Sequence, residues 1–199
     1  MSARRDGFPT RVVIASKNRD KIAEIEGVVR SAAPETELVL GLVWEDVEET
    51  GDSLEENALL KARAVAYATG VPALADDTGL EVAALGGAPG VYTARFAGPS
   101  ASYQDNVDHL LRQLVGISDR RATFRTVVGL AFPTGVEVTA EGRLHGDIAT
   151  APRGKNGFGY DPVFEVNGRT LGELEIEEKN GLSHRARAVR GLIDKFRVT

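Results

Sequence analysis

Cysteine is absent from the 199 residues, which excludes disulfides, thiolate-bound zinc and a cysteine nucleophile. No apolar run approaches the ~20 residues needed to span a bilayer. The opening stretch carries Arg4 and Arg5 with no apolar segment behind them, so it does not read as a secretory signal. Residues 1–10 are expected to fray. An excess of positive charge is missing too: 24 Lys and Arg stand against 29 Asp and Glu, a formal net charge of −5. Binding to a nucleic-acid polymer rests on many phosphate contacts by Lys and Arg, and no basic stripe with interleaved aromatics is present. Neither a nucleic-acid polymer nor a membrane is therefore an expected partner. A small anionic ligand, needing only a local basic pocket, remains open. These absences together fit a cytoplasmic protein.

Helix and strand signals interleave, and no repeat, low-complexity tract or linker divides residues 11–199, so one α/β domain is expected. Val12 to Ala15 reads as a buried strand. Asn18 reads as the N-cap of a helix whose apolar positions are Ile22, Ile25 and Val29. Leu38 to Leu40 reads as a second strand. Ser53 and Glu56 have the spacing of a capping box, and Gly70 and Pro72 stop the helix it opens. Pro72 to Ala75 reads as a strand with Asp76 and Asp77 at its carboxyl end. The segment from Leu85 to Gly90 is expected as a loop, Ser102 to Leu114 as a helix, and Gly142 to Gly159 as largely irregular. Strands are expected over Thr123 to Phe132 and Val136 to Ala140, around a Pro133-Thr134-Gly135 turn, which speaks against a purely parallel sheet. Ser183 is expected to cap a final helix carrying Ala186, Val189, Ile193 and Phe196.

Six groups of residues have chemistry to offer, and each has a plainer explanation. Ser16, Lys17, Asn18, Arg19, Asp20 and Lys21 lie at a strand-to-helix turn. Free N–H groups and the helix dipole attract anions there, and three cations add to the attraction. A solvated N-cap is the alternative, and the glycines of a Walker A loop are missing. Glu48 and Glu49 precede the Ser53 cap and read alone as an acidic loop. Asp76, Asp77 and Thr78 follow a strand, where α/β proteins gather ligands and where one or two carboxylates suffice for Mg²⁺. Asn57 and Lys61 share a helix face at i,i+4. Gly157, Phe158, Gly159, Tyr160 and Asp161 present an aromatic between two glycines, suited to stacking or to a packed turn. Lys179 precedes His184 and Arg185, cations at the start of a helix, where the dipole disfavours them by ~0.3–1 kcal/mol.

In this order the groups resemble the inosine triphosphate pyrophosphatase family, the Ham1-like XTP/dITP diphosphatases. The matching stretches are S-x-N-x-x-K at 16–21, the E-E-T-G-x-S-x-x-E-N-A-x-x-K-A block over 48–62, A-D-D-T-G-L at 75–80, L-G-G-A-P-G-V-Y at 85–92, G-F-G-Y-D-P at 157–162 and E-K-N-x-x-S-H-R at 178–185. Each is common alone; six in order are specific. Thr78 and Thr93 stand where many bacterial relatives have Ser. The resemblance implies a long mixed sheet flanked by helices, two lobes with a central substrate cleft, and a homodimer. It implies a purine nucleoside triphosphate substrate (ITP, dITP or XTP) cut to the monophosphate and pyrophosphate with Mg²⁺, for which Mn²⁺ is a possible substitute. By motif, Asp77 resembles the catalytic base, and Glu48 with Asp77 the metal ligands. Residues 16–21, Thr78, Phe158 to Asp161, Lys179, His184 and Arg185 resemble the nucleotide contacts.

The residues themselves fit that scheme. In it Lys21 and Lys61 are expected to neutralise phosphate charge, and Asp77 to deprotonate or orient the attacking water, with Asp76 and Glu49 in reserve. Phe158 stacks on the base, and His184 or Arg185 donates to its 6-oxo group. The rival reading is a non-catalytic nucleotide-binding module on the same scaffold, which has no need of Glu48, Lys61 and Asp77 together.

Overall fold

The computed structural model describes residues 7–197. Eight strands form one mixed sheet: β1 (Arg11–Ile14), β2 (Glu37–Leu38), β3 (Ala73–Val82), β4 (Pro89–Gly90), β5 (Arg121–Ala131), β6 (Glu137–Ile148), β7 (Phe164–Val166) and β8 (Arg169–Thr170). Their order is β2-β1-β3-β5-β6-β7-β8, with β4 paired to β3. β1 runs parallel to β2 and β3, whereas β4 on β3, β7 on β6 and β8 on β7 are antiparallel. The helices are α1 (Arg19–Ala32), α2 (Leu54–Thr69), α3 (Tyr103–Gln113), α4 (Ile176–Leu182) and α5 (His184–Asp194). No helix among the described residues is long and apolar enough to cross a membrane.

Contacts divide the chain, read above as one domain, into two compact units. Of the described residues, unit 1 holds 7–77, 126–142 and 184–197; unit 2 holds 78–125 and 143–183. In unit 1 the two-residue period of the strands sorts the core into two layers. Val12, Ile14, Leu74, Val128 and Leu130 pack under α1 and α5. Val13, Ala15, Ala73, Ala75 and Ala131 meet Ala62, Val65 and Ala66 of α2. Unit 2 has its own core, in which Val107, Leu110 and Leu114 pack with Leu80, Phe124, Leu144, Ile148 and Phe164.

Local signals set the helix ends. The Asn18 side chain accepts from the N–H groups of Asp20 and Lys21, and Gly70 closes α2 in a left-handed conformation at φ +68°. Ser102 and Asp105 form a complete capping box on α3. At α2 the box is displaced. Ser53 accepts from the Glu56 N–H, but the Glu56 carboxylate takes the N–H of Asp52 instead of Ser53.

Several expectations are corrected. β3 continues through Asp76 and Asp77 to Val82, so the aspartates lie within a strand. β6 runs to Ile148, well into the stretch expected to be irregular. Its glycines face inward at close approaches, where a strand tolerates no side chain. A Cβ on Gly142 would lie 2.1 Å from the His184 carbonyl oxygen and 2.5 Å from the Ala188 nitrogen. The 85–90 loop contains β4, and residues 176–182 form α4, which the sequence reading did not include. Ser183 stands directly before α5, where a cap was expected, and is at the same time the C-cap of α4. Of the start expected to fray, residues 1–6 lie outside the described residues. Phe8 packs edge-on against Phe196 at 5.7 Å, and the Pro9 carbonyl accepts from Thr36.

Gly142→Ala should lower the unfolding free energy by ~1–3 kcal/mol, because the clash is with backbone that cannot swing away. Gly181, in α4 with open space around it, is the control: Gly181→Ala should leave stability unchanged or raise it by up to ~1 kcal/mol. Urea unfolding of both variants reads the difference.

Candidate active site

Successive side chains on a strand point to opposite faces, so β3 sends Asp76 and Asp77 into different surroundings. Asp76 shares the face of Leu74, under α1 and α5. Arg185, in the first turn of α5, donates to it at 3.0 Å, and Lys21 from α1 approaches to 3.3 Å. Arg185 also donates to Glu24 of α1. Arg185 is 2% exposed and Glu24 4%. Two carboxylates and two cations thus balance in the interior, which removes the heavy cost of an unpaired buried charge. Burial pushes Asp76 up, but Lys21, Arg185 and Lys61 outweigh it and hold the carboxyl far below its ordinary value. Arg185, for its part, is held even more firmly protonated than usual: burial opposes its charge, but Asp76 and Glu24 more than compensate.

Asp77 faces α2. Asn57 donates to one carboxylate oxygen at 3.2 Å, and the Lys61 ammonium lies 3.8 Å from the other. Lys61 also bonds Glu49. Here burial prevails: it raises the Asp77 pKa, Lys61 and Lys21 pull it down, and Glu49 and Asp76 add to the rise, leaving the carboxyl above its ordinary value. Lys61 is itself buried, which opposes its charge, but Asp77, Asp76 and Glu49 overcome this and raise its pKa.

The spacing of the 48–62 block follows from this geometry. Asn57 accepts from the Gly51 N–H at 2.8 Å while donating to Asp77, so one amide ties the acidic loop to the carboxylate. Gly51 must lack a side chain, since a Cβ would come within 2.7–2.9 Å of Glu56 and Asn57. The tether brings Glu49 to Lys61 and leaves Glu48 exposed. Glu49 is thus the loop carboxylate held close to Lys61 and Asp77. Among the described residues no group of three or more His, Cys, Asp or Glu converges as a cage for a metal. Glu49 and Asp77 offer hard oxygen donors only. That set fits a cation such as Mg²⁺, which takes one or two protein carboxylates and draws its other ligands from phosphate and water.

At the 16–21 turn, Ser16 accepts from the Asn18 N–H at 3.2 Å, and Lys17 pairs with Asp46. Arg19 and Asp20 are exposed. The turn is a capped helix start with Lys21 reaching inward to Asp76.

In unit 2, Asp161 organises the aromatic loop. Its carboxylate accepts from the Phe158 N–H at 2.7 Å and from the buried Lys179 ammonium at 2.5 Å. Gly157 sits at φ +72°, and a Cβ there would fall 2.2 Å from the same oxygen. Lys179 also stands 4.8 Å from the Phe158 ring centroid. Tyr160 is buried and its hydroxyl donates to the Thr93 carbonyl at 3.0 Å. Asp161, Lys179 and Tyr160, expected as nucleotide contacts, are thus engaged in building the loop around Gly159. Thr78 is half-buried on β3. The Thr93 hydroxyl accepts from the Leu80 N–H at 2.7 Å and donates to the Gly90 carbonyl at 2.5 Å. A hydroxyl is what position 93 requires, and Thr supplies it as Ser would.

His184 and Arg185, expected as readers of the base, both lie buried in unit 1. His184 is buried in unit 1 and shares a 2.6 Å hydrogen bond with Thr126. Arg185 donates to Asp76 and Glu24. Glu24 was missed by sequence reasoning. The available signal was its place at i+3 from Lys21 and i−4 from Val28, on the buried face of α1.

Fold and cluster define an α/β protein with two buried, oppositely facing aspartates in the middle of a sheet strand. The Ham1 family profile matches residues 12–195. The dITP/XTP pyrophosphatase of Streptomyces avermitilis is 46% identical over 195 residues, covering 94% of this chain and 98% of its own. That of Geobacter sulfurreducens is 47% identical over 191 residues, covering 93% and 96%. The solved Ham1 protein of Staphylococcus aureus superposes with a TM-score of 0.82 at 40% identity, covering 94% and 98%. This chain belongs to the Ham1 family.

Arg185→Ala should destabilise the protein by ~3–5 kcal/mol, because it strands two buried carboxylates. Denaturant unfolding measures this. A loss below ~1 kcal/mol, the usual ceiling for an exposed pair, would remove Arg185 from its structural role.

Proposed function

We infer that the protein is a nucleoside triphosphate pyrophosphatase that hydrolyses non-canonical purine nucleotides (ITP, dITP, XTP) to the monophosphate and pyrophosphate. Family membership over nearly the whole chain supports the reaction class. The observation that carries the chemistry is the divergence of Asp76 and Asp77. Neighbouring carboxylates whose environments push their pKa values apart mark a division of acid–base labour. Asp76 stays ionised as a fixed charge, while Asp77 is the better proton acceptor.

In this reading the Asp77 carboxylate takes a proton from water as the water oxygen bonds to the α-phosphorus. The bond from that phosphorus to the α–β bridging oxygen breaks, and its electron pair leaves with pyrophosphate. Asn57 orients Asp77, and Lys61 lies beside it to offset phosphate charge, as does Lys21 at the start of α1. Positioning and electrostatics carry most of such catalysis. Glu49 and Asp77 would hold Mg²⁺, or Mn²⁺ in its stead, and the ion would neutralise phosphate charge and acidify water. Phe158, in unit 2, offers a fixed ring for the base. The homodimer and cytoplasmic location implied by the resemblance belong to the same reading.

ITP with Mg²⁺ should give IMP and pyrophosphate in equal amounts with no free phosphate. EDTA should abolish turnover, and added Mg²⁺ should restore it. Release of orthophosphate, or full turnover without divalent metal, would sink the reading.

Asp77→Asn should lower kcat by ~10²–10⁴-fold while the melting temperature shows an intact fold. Glu49→Gln should lower activity ~10–100-fold with a raised Mg²⁺ requirement, and Glu48→Gln should stay near wild type. The opposite ranking of the two glutamates would return the metal role to Glu48.

A further inference from the structure

A second ring adjoins Phe158. Tyr103 opens α3, and its ring centroid lies 5.9 Å from that of Phe158 with the planes 41° apart. Tyr103 is 45% exposed, unlike the residues of the unit 2 core. Helix formation does not call for an aromatic at this position. Ser102 and Asp105 cap α3 with each other's backbone N–H groups. The flanking staple positions are occupied by Ala101 and Asn106, so no hydrophobic staple needs the ring. Phe158 is fixed by Asp161 through its N–H and by the Lys179 ammonium over its ring.

The spacing rules out one arrangement and favours another. A base inserted between two parallel rings needs a gap of about 7 Å, twice the contact distance of carbon atoms. At 5.9 Å and 41° there is no such gap. Two adjoining rings set at an angle instead make a surface of two panels. A pyrimidine, with one ring, is covered by Phe158 alone. A purine extends past it, and its second ring falls on the neighbouring panel. We propose that Tyr103 is a specificity-determining residue that contacts the second ring of a purine and so favours bicyclic over monocyclic bases. This rests on the reading of Phe158 as the base platform.

The test compares wild type, Tyr103→Ala, Tyr103→Phe and Phe158→Ala for pyrophosphate release from ITP and UTP. Where UTP turnover is too slow to follow, its inhibition of ITP hydrolysis gives its affinity. Tyr103→Ala should lower kcat/KM for ITP about five- to tenfold, the low end expected for one stacked ring. UTP should change less than twofold, so that purine preference falls. Tyr103→Phe should retain the preference, and Phe158→Ala should weaken both substrates. An unchanged ITP-to-UTP ratio in Tyr103→Ala, with melting showing a folded protein, would overturn the proposal while leaving the pyrophosphatase reading intact. No pyrophosphate release by wild type would overturn that reading, and this proposal with it.

Discussion

Two carboxylates on consecutive residues of a buried strand repel each other and resist desolvation, so β3 is tolerable only if each has its own cations and donors. The pleat makes that possible by turning Asp76 and Asp77 to opposite faces. The rest of unit 1 answers to the requirement. On one face α1 and α5 bring Lys21, Arg185 and Glu24 to Asp76. On the other, α2 brings Asn57 and Lys61 to Asp77, and the loop before it brings Glu49. The small residues Ala62 and Ala66 on α2, facing Ala73 and Ala75 on β3, let that helix lie close enough for these contacts.

The same charges divide the labour between the aspartates. A carboxyl beside Arg185 and Lys21 stays ionised through any ordinary pH. Its neighbour, where burial and the repulsion of Glu49 and Asp76 outweigh the pull of Lys61 and Lys21, is left with a raised pKa. One strand thus carries a carboxyl held ionised and a neighbour that takes up a proton more readily. In unit 2 a related device holds the Phe158 ring. The buried Lys179–Asp161 pair closes the turn around Phe158, and Gly157 is the residue that lets Asp161 reach back to it.

Motifs that resemble ligand contacts therefore do two kinds of work. His184 and Arg185 hold the interior of unit 1 together, and Tyr160 and Thr93 stitch unit 2 by hydrogen bonds to backbone. The unfavourable place of Arg185 at a helix start hinted at a special use. In the fold Arg185 neutralises two buried carboxylates, a stronger demand than the ~0.3–1 kcal/mol lost to the helix dipole.

Local features were legible in the sequence because they depend on neighbours in the chain. Asn18, Ser102 and Gly70 announce helix ends through bonds spanning two to four residues. The apolar periodicities of α1, α2 and β1 likewise follow from helix and strand geometry, and six ordered motifs marked the family. The continuation of β3 was not legible, since Asp-Asp-Thr-Gly has poor strand propensity and is extended only because distant cations and donors satisfy its side chains. Nor was that of β6, whose glycines make sense only where α5 presses on Gly142 and the Glu165 backbone on Gly146. The choice of Glu49 over Glu48 depends on the Gly51–Asn57 tether, which sets which of two adjacent carboxylates turns toward Lys61. The burial of Arg185 depends on Glu24, 161 positions away. Sequence spacing carries helix and strand periods, but a charge's partner is chosen by tertiary packing, and at this site the partner decides what each charged group does.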